Sequence, residues 1–178
     1  MCIRDSDSCC VTRISLVTHT GTHVDAEAHV IHGGKRLGDY PLTAFSGLAR
    51  VADLRGLSVV DASALDSIES CDWLLLCTGQ SEKWGSEEYF GTEPLFTEAF
   101  VKTAARIARK GIGLDCSGLD REGVALHCVW CSSGGGLMVE NLTDLEILLS
   151  ESQILFAAYP LKLAAVDGAP VRAVAVLG

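Results

Sequence analysis

The chain has 178 residues, of which 48% are hydrophobic and 21% are charged, values typical of a soluble globular protein with a buried core. Its formal net charge of −9 argues against nucleic acids and anionic membranes as partners. The sequence has no run of about eighteen apolar residues and no secretory leader pattern, so we expect a cytoplasmic protein without a membrane span.

The first residues, Met1–Ser6, do not have the character of a natural N-terminus and resemble the translation of a sequencing adapter. We therefore expect residues 1–10 to be non-native or disordered. Residues 11–178 are expected to form a single domain. Within it, the alternating and β-branched segment 11–18 predicts a strand.

A cluster of histidines follows this predicted strand. Four of the five histidines in the chain lie between His19 and His32. His19, His23 and His29, with Asp25 among them, offer imidazole nitrogens and one carboxylate, which are donors that a borderline divalent cation prefers. The cluster therefore predicts a metal site.

The spacing of this cluster limits its backbone conformation. His19 and His23 would share one face of a helix, but the intervening Thr20-Gly21-Thr22 disfavours helix formation. In a straight strand the same two residues would lie roughly 13 Å apart, too far to bind one ion. We therefore predict a ligand loop that bends at Gly21, a residue that tolerates unusual dihedral angles. The alternative is a pair of metal ions that share Asp25.

The remaining elements are predicted from capping residues and apolar patterns. Thr97 is expected to cap a helix over residues 98–109 that ends before Gly111, and Asp61 a shorter helix over residues 62–68. The continuous apolar run 73–77 predicts a central buried strand. Further strands are predicted at residues 48–54, 112–115, 154–159 and 171–177.

Aromatic residues are concentrated in the loop that follows the run 73–77. Trp84, Tyr89 and Phe90 are assigned to the wall of a pocket for a flat substrate. The alternative is that they pack over the core.

Eight cysteines are many for a chain of this length, and several lie in apolar surroundings. Without a secretion signal, reduced thiols are favoured over a disulfide framework. Cys128 and Cys131 form a lone C-x-x-C with no second pair, which is a weak signal for a redox or structural zinc site.

Polar residues in the second half of the chain are further candidates. Asp115, at the end of a predicted strand, is either a site residue or a loop cap. His127 is either a site residue or a satisfied buried histidine. Glu140 follows the apolar run Leu137–Val139, where a carboxylate is costly unless it is paired or bound to metal.

The segment from His19 to His29 resembles the signature of the cyclase-like metal-dependent hydrolases, a family that includes bacterial kynurenine formamidase and isatin hydrolase. In that family the motif is His-x-Gly-Thr-His-x-Asp-x-Pro-x-His, and the chain departs from it at Glu27, where proline is usual. The matching positions are His19, Gly21, Thr22, His23, Asp25 and His29. The resemblance extends over residues 11–177, and the N-terminal strand of family members is expected to be missing.

The resemblance implies a fold and a ligand set. The fold would be α/β, with sheet-sheet-helix layers of the swivelling β/β/α type and a mixed, barrel-like central sheet. The implied metal ligands are His19, His23, Asp25, His127 and Glu140.

Two departures from the family pattern concern the second half of the chain. His127 and Glu140 are 13 residues apart, one more than is usual, and Cys128 could be the donor instead if the extra residue lies outside the turn 132–136. The family pattern Asp-x-x-Ser-x-Asp has its serine at Gly118 here, with Ser117 one position early.

The resemblance also implies a reaction. One or two divalent ions, Zn²⁺ or alternatively Mn²⁺, would lower the pKa of bound water from about 15.7 towards 7. His29 would take a proton from this water and return it to the leaving nitrogen. The expected enzyme is arylformamidase-like and acts on the amide bond of N-formylkynurenine or of a related aryl or cyclic amide.

Two other functions remain open at this point: a lyase or dehydratase that uses the same metal and base, and a chain that binds metal without turnover. The resemblance further implies a small-molecule substrate and assembly as a homodimer or homotetramer.

Overall fold

The computed structural model describes residues 2–4 and 10–178, with side chains from residue 11 onwards. The regular elements are, in chain order, β1 (Cys2–Arg4), β2 (Cys10–Thr12), β3 (His23–Asp25), β4 (Ser46–Asp53), β5 (Val59–Val60), β6 (Cys71–Cys77), β7 (Leu95–Phe96), α1 (Glu98–Ile107), β8 (Ala108–Leu114), α2 (Ala125–Ser132), β9 (Leu137–Glu140), β10 (Ile154–Pro160) and β11 (Gly168–Leu177). Short 3-10 turns lie between them. The predicted non-native or disordered segment includes residues 1 and 5–9, which lie outside the described residues, so it stays a prediction.

Seven of the described strands close into a barrel in the order β10-β11-β3-β9-β8-β6-β4. The run from β4 through β6 and β8 to β9 is parallel, and β3, β10 and β11 complete the barrel by antiparallel pairing. The predicted α/β class with a mixed, barrel-like sheet is confirmed. Because β3 is inserted between β9 and β11, the early histidine-rich segment lies among strands from the second half of the chain.

β6 separates two hydrophobic cores. Trp73 and Leu75 face the interior of the barrel, whereas Leu74 and Leu76 belong to the core that α1 and α2 cover. All four side chains are fully buried. A strand that is buried on both faces must be apolar at every position, which explains the uninterrupted apolar run in this segment. Among the described residues, neither helix is long and apolar enough to cross a bilayer.

α1 begins where the sequence predicts. The hydroxyl of Thr97 accepts a hydrogen bond from the backbone N–H of Phe100 at 3.1 Å. The helix ends at Ile107 because β8 starts at the next residue. Gly111, predicted to follow the helix, lies inside β8, where a Cβ would contact the carbonyl oxygen of Leu137 and the ring of Trp73. Close strand packing therefore requires this glycine, and helix termination does not.

Two predicted elements are shorter than expected. The strand predicted at residues 11–18 ends at Thr12, and Ile14 beyond it is 74% exposed. The barrel is closed without this segment. β11 pairs with β3 only at Gly168–Pro170, and among the described strands its remaining residues pair with β10 alone, so segment 13–18 does not occupy this edge. The helix predicted at residues 62–68 is a 3-10 turn over Ala62–Leu65, and Asp61 accepts a hydrogen bond from Thr97 Oγ1 at 2.7 Å.

Candidate metal centre

The histidine-rich segment bends before it enters the barrel. Gly21 has a φ of +64°, in the left-handed region, and β3 begins at His23. Within β3 the side chain of Val24 lies in the barrel core, so its neighbours His23 and Asp25 point to the opposite face. The bend brings Nδ1 of His19 to 2.7 Å from Oδ1 of Asp25. The loop therefore has the bend that was predicted at Gly21.

The pairing of β3 with β9 brings the two halves of the chain together. His23 lies directly opposite Glu140 in this antiparallel pair. Nε2 of His23 is 3.4 Å from Glu140 Oε2 and 3.3 Å from Asp25 Oδ1. His127, on α2, places its Nε2 3.1 Å from Glu140 Oε1. The residues brought into one cluster are His19, His23, Asp25, His127 and Glu140, which are the five predicted ligands.

The donor atoms of this cluster fit a divalent cation. Ligand atoms of His19, His23 and Asp25 lie within 4.8 Å of one another, and so do those of Asp25, His127 and Glu140. Nδ1 of His19 and Oδ1 of Asp25 are buried without a hydrogen-bond partner among the described residues, although they are 2.7 Å apart. Buried polar atoms without a partner are rare in folded proteins, and coordination of a cation satisfies both atoms.

Neighbouring groups orient two of the imidazoles. Nδ1 of His23 is 2.8 Å from the carbonyl oxygen of Gly21. A carbonyl only accepts hydrogen bonds, so Nδ1 carries the proton and Nε2 keeps a lone pair for a metal. Nδ1 of His127 donates in the same way to the carboxylate of Asp120 at 2.7 Å. Cys128, the alternative donor, belongs to none of the candidate metal-binding groups among the described residues.

Asp120 was not predicted to belong to the site. Its carboxylate also accepts hydrogen bonds from the backbone N–H groups of Leu126 at 2.9 Å and His127 at 3.1 Å, in the first turn of α2. It therefore holds both the helix and the imidazole ring that the helix carries. Two signals were available: Asp120 is the second aspartate of the family pattern Asp-x-x-Ser-x-Asp, and it lies shortly before a helix that bears a candidate ligand.

The charges of the cluster shift the pKa values of its members. Contact with Asp25 raises the pKa of His19 to about 9, against the effect of burial. Burial alone would lower the pKa of His127, but Glu140 and Asp120 outweigh it and raise this pKa to about 9. Burial also raises the pKa of Glu140. Without a cation the imidazoles therefore hold protons that balance the carboxylates, and a metal would have to displace them.

His29 lies beside the cluster and contacts a residue that was not predicted. Its ring centre is 4.0 Å from that of His19, and its Nδ1 is 3.4 Å from Oδ2 of Asp167. The same oxygen of Asp167 is 3.3 Å from Nε2 of His19. His19, His29 and Asp167 thus form a third group with ligand spacing. Asp167 comes immediately before β11, and the pairing of β11 with β3 places it here.

Glu27, which stands where the family usually has proline, belongs to none of the candidate metal-binding groups among the described residues. Its carboxylate accepts a hydrogen bond from the backbone N–H of Lys35 at 3.2 Å. The exchange therefore puts a side-chain hydrogen bond across the turn between residues 27 and 35, at the position where proline would restrict the backbone.

A cavity of about 250 Å³ opens beside the cluster. Trp84 and Phe90 line it, together with Ser117 and Asn141. Tyr89, predicted with them to contact substrate, does not line the cavity: it is 1% exposed, and its ring packs against both Trp84 and Phe90. A larger cavity of about 520 Å³, between β11 and residues 142–148, is lined by none of the predicted ligands.

Asn141 connects the loop that carries Trp84, Tyr89 and Phe90, here called the aromatic loop, to the bend at Gly21. Its side-chain carbonyl accepts a hydrogen bond from the hydroxyl of Tyr89 at 2.5 Å, and its amide donates to the carbonyl oxygen of Gly21 at 3.1 Å. That carbonyl is the one that orients His23. Asn141 has a φ of +56°, a conformation that asparagine tolerates better than most residues. It is therefore a positioning residue for the cluster.

The segment that follows β8 passes close to the cluster. A Cβ at Gly118 would lie 2.6 Å from Oε1 of Glu140, so this position cannot hold the serine of the family pattern without a shift. The cavity is lined instead by Ser117. Asp115 accepts hydrogen bonds from Thr78 and from the backbone N–H of Gly79, which makes it the loop cap of the two roles considered.

Known proteins resemble this chain in sequence. The family model described as Cyclase matches residues 3–121. Kynurenine formamidase from Bacillus mycoides is 30% identical over 179 residues, which cover 96% of this chain and 81% of the relative. Kynurenine formamidase from Bacillus cereus is 29% identical over 176 residues, with the same coverage.

Solved structures resemble it in fold. A predicted metal-dependent hydrolase from Bacillus stearothermophilus has a TM-score of 0.77 at 26% identity and covers 97% of this chain and 83% of its own. Isatin hydrolase A from Labrenzia aggregata shares the fold with a TM-score of 0.81 at 23% identity, over 98% of this chain and 81% of its own. With the family model spanning most of the sequence, the chain belongs to the cyclase family.

Proposed function

We propose that this chain is a metal-dependent hydrolase that cleaves a non-peptide C–N bond, as an arylformamidase does. The observation that carries the proposal is the cluster in which His19, His23 and Asp25 meet His127 and Glu140 across the β3–β9 pair. The names of the relatives support the reaction class, since similar proteins are kynurenine formamidases and one similar structure is described as a metal-dependent hydrolase.

A cation held by the five clustered residues, Zn²⁺ or alternatively Mn²⁺, would supply Lewis-acid polarisation of a carbonyl group and acidify water. Nitrogen donors favour zinc, whereas the carboxylates also suit manganese. The candidate groups of ligand atoms overlap at Asp25 and at His19, which is compatible with one ion or two.

His29 is the proposed proton carrier. It lines the cavity, and its Nδ1 lies 3.4 Å from the carboxylate of Asp167. When Nδ1 carries the proton and donates a hydrogen bond to this carboxylate, Nε2 is left as the basic nitrogen. His29 can then accept a proton at Nε2 from water in the cavity and return it to the nitrogen that leaves the carbonyl carbon.

The aromatic loop defines the proposed substrate class. Trp84 and Phe90 are exposed and face the cavity that the cluster borders. Flat rings stack favourably on such side chains. The volume of about 250 Å³ suits a small aryl amide. We propose N-formylkynurenine or a related aryl or cyclic amide, with the carbonyl next to the cluster and the ring against the aromatic wall.

The experiment combines metal analysis with turnover of a panel of formanilides. We expect one or two equivalents of zinc or manganese per chain, release of formate from the panel, and loss of at least about a hundredfold in kcat for His29→Ala with metal content unchanged. His32→Ala, which changes a neighbouring histidine outside the cluster, is the matched control. A cyclic amide is assayed beside the panel, and hydrolysis of neither the formanilides nor the cyclic amide by the metal-loaded protein would refute the hydrolase. Turnover of hydroxy acids without consumption of water would instead indicate the lyase or dehydratase.

We also propose a cytoplasmic homodimer or homotetramer that binds neither nucleic acid nor membranes. Leu48, Leu155 and Val176 are exposed and pair in register across β4, β10 and β11, so they form an apolar row on the outside of the barrel. Contact between copies would bury this row. Light scattering after size exclusion should show a dimer or tetramer that Leu155→Lys weakens, and a monomer at all concentrations would contradict the assembly.

A further inference from the structure

A buried carboxylate lies near the cavity and has no role in the function proposed above. Glu93 is 3% exposed, and its Oε2 has no hydrogen-bond partner among the described residues. The guanidinium of Arg121 donates to the backbone carbonyl oxygen of Glu93, from Nε at 2.8 Å. This arginine therefore fixes the backbone of Glu93, and no cationic side chain of the described residues pairs with its carboxylate.

Ser117 connects this carboxylate to the cavity. Its side chain lines the cavity, and its hydroxyl donates a hydrogen bond to Oε1 of Glu93 at 3.3 Å. A hydroxyl group has one proton and two lone pairs. Because the proton of Ser117 is used in the hydrogen bond to Glu93, its oxygen can only accept hydrogen bonds from a molecule in the cavity.

The surroundings of Ser117 favour a positively charged donor. The exposed rings of Trp84 and Phe90 line the same cavity. Carboxylates and aromatic faces both stabilise an ammonium group.

We propose that Ser117 and Glu93 form a subsite that binds an N–H or ammonium donor of the substrate. Ser117 contacts the donor directly, and Glu93 is the positioning residue that turns the serine into an acceptor. The subsite would give preference to aryl amides that carry an amino group over those that carry a neutral group at the same place. The substrate class rests on the proposed hydrolase function, whereas binding of an ammonium group by the subsite does not.

Calorimetry on the zinc-loaded full chain tests binding without turnover, with benzylammonium and benzyl alcohol as probes. We expect benzylammonium to bind more tightly, and Glu93→Gln and Ser117→Ala each to reduce the preference about tenfold. Glu87→Gln removes an exposed charge from the same loop and should leave the preference unchanged. Equal affinity of the wild type for both probes would overturn the proposal. So would a preference that neither cavity variant changes, the result expected if the amine simply binds the metal.

Turnover of two formanilides, one with an ortho aminomethyl group and one with an ortho hydroxymethyl group, distinguishes a loss of substrate specificity from a general disturbance of the site. Glu93→Gln should raise KM about tenfold for the amino substrate, with kcat and the hydroxymethyl substrate unaffected. An equal loss for both substrates would contradict the proposal. If Glu93→Gln does not fold, Ser117→Ala decides. If the wild type hydrolyses neither substrate, the proposed substrate class fails, and the calorimetry still decides the subsite.

Discussion

Asp120 orients His127, a candidate metal ligand. Its replacement measures how much this contact contributes to metal affinity and to stability. Its carboxylate accepts hydrogen bonds from Leu126 N–H at 2.9 Å and from His127 Nδ1 at 2.7 Å. The first contact replaces the N-terminal cap that Val124 cannot supply for α2. The second leaves Nε2 of His127 free for a cation. Asp120→Asn keeps an acceptor oxygen for the helix but removes the negative charge beside the imidazole.

The expected magnitudes differ for metal affinity and for stability. Loss of the partner behind a metal-bound histidine lowers metal affinity about 10- to 100-fold, so the zinc Kd of Asp120→Asn should rise by that factor. The metal-free variant should lose about 1.5–3 kcal/mol of unfolding free energy, the contribution of a charge-assisted hydrogen bond. Asp120→Ala also removes the helix cap and should lose about 1 kcal/mol more.

Zinc affinity is measured by competition with a chromophoric chelator, and stability by urea unfolding in the presence of chelator. Glu122→Gln is the matched control because Glu122 is exposed in the same loop, and it should change neither quantity. If Asp120→Asn binds zinc as tightly as the wild type, His127 is not a ligand oriented by Asp120 and the reasoning is refuted.

Two further predictions concern the same cluster. Gly118→Ala should weaken zinc binding at least about tenfold, because its Cβ would lie 2.6 Å from Glu140 Oε1. The control is Gly123→Ala, which has a φ of +76° but open space around the new Cβ and should reduce stability without changing zinc affinity. Equal zinc affinities of the two variants would contradict this prediction. The pKa values of His19 and His127 are raised from 6.5 to about 9, so their contribution to metal-free stability is complete below pH 6.5 and is lost as the pH rises through 9. The urea midpoint of the metal-free protein should therefore fall over this range, while zinc affinity rises as the imidazoles lose their protons; a rising midpoint would count against the cluster.

The part of the site that is local in sequence could be predicted from the residues. His19, His23 and Asp25 lie within seven positions, and the glycine between the histidines allows the bend that joins them. β6 could also be predicted from the sequence, because a strand buried on both faces has a continuous apolar run. Resemblance to a known family was needed to connect these residues with His127 and Glu140.

Residues whose role depends on tertiary contacts could not be predicted in this way. Asp167 has the sequence context of an ordinary turn, and only the pairing of β11 with β3 places it beside His19 and His29. The sequence also does not show which way a side chain in a loop points. It therefore could not predict that Tyr89 is buried while its neighbours Trp84 and Phe90 line the cavity. Segment 13–18 alternates like a strand, but local alternation does not reveal that the barrel closes without it.

Anomalous diffraction from crystals of the zinc-loaded protein tests most directly whether a cation binds donors from both halves of the chain. If it does, we expect a zinc peak about 2.0–2.2 Å from the imidazole of His127 and from the carboxylate of Glu140, as well as from donors in residues 19–25. Absence of a peak at His127 and Glu140, with zinc bound by residues 19–25 alone or by the thiols of Cys128 and Cys131, would contradict it.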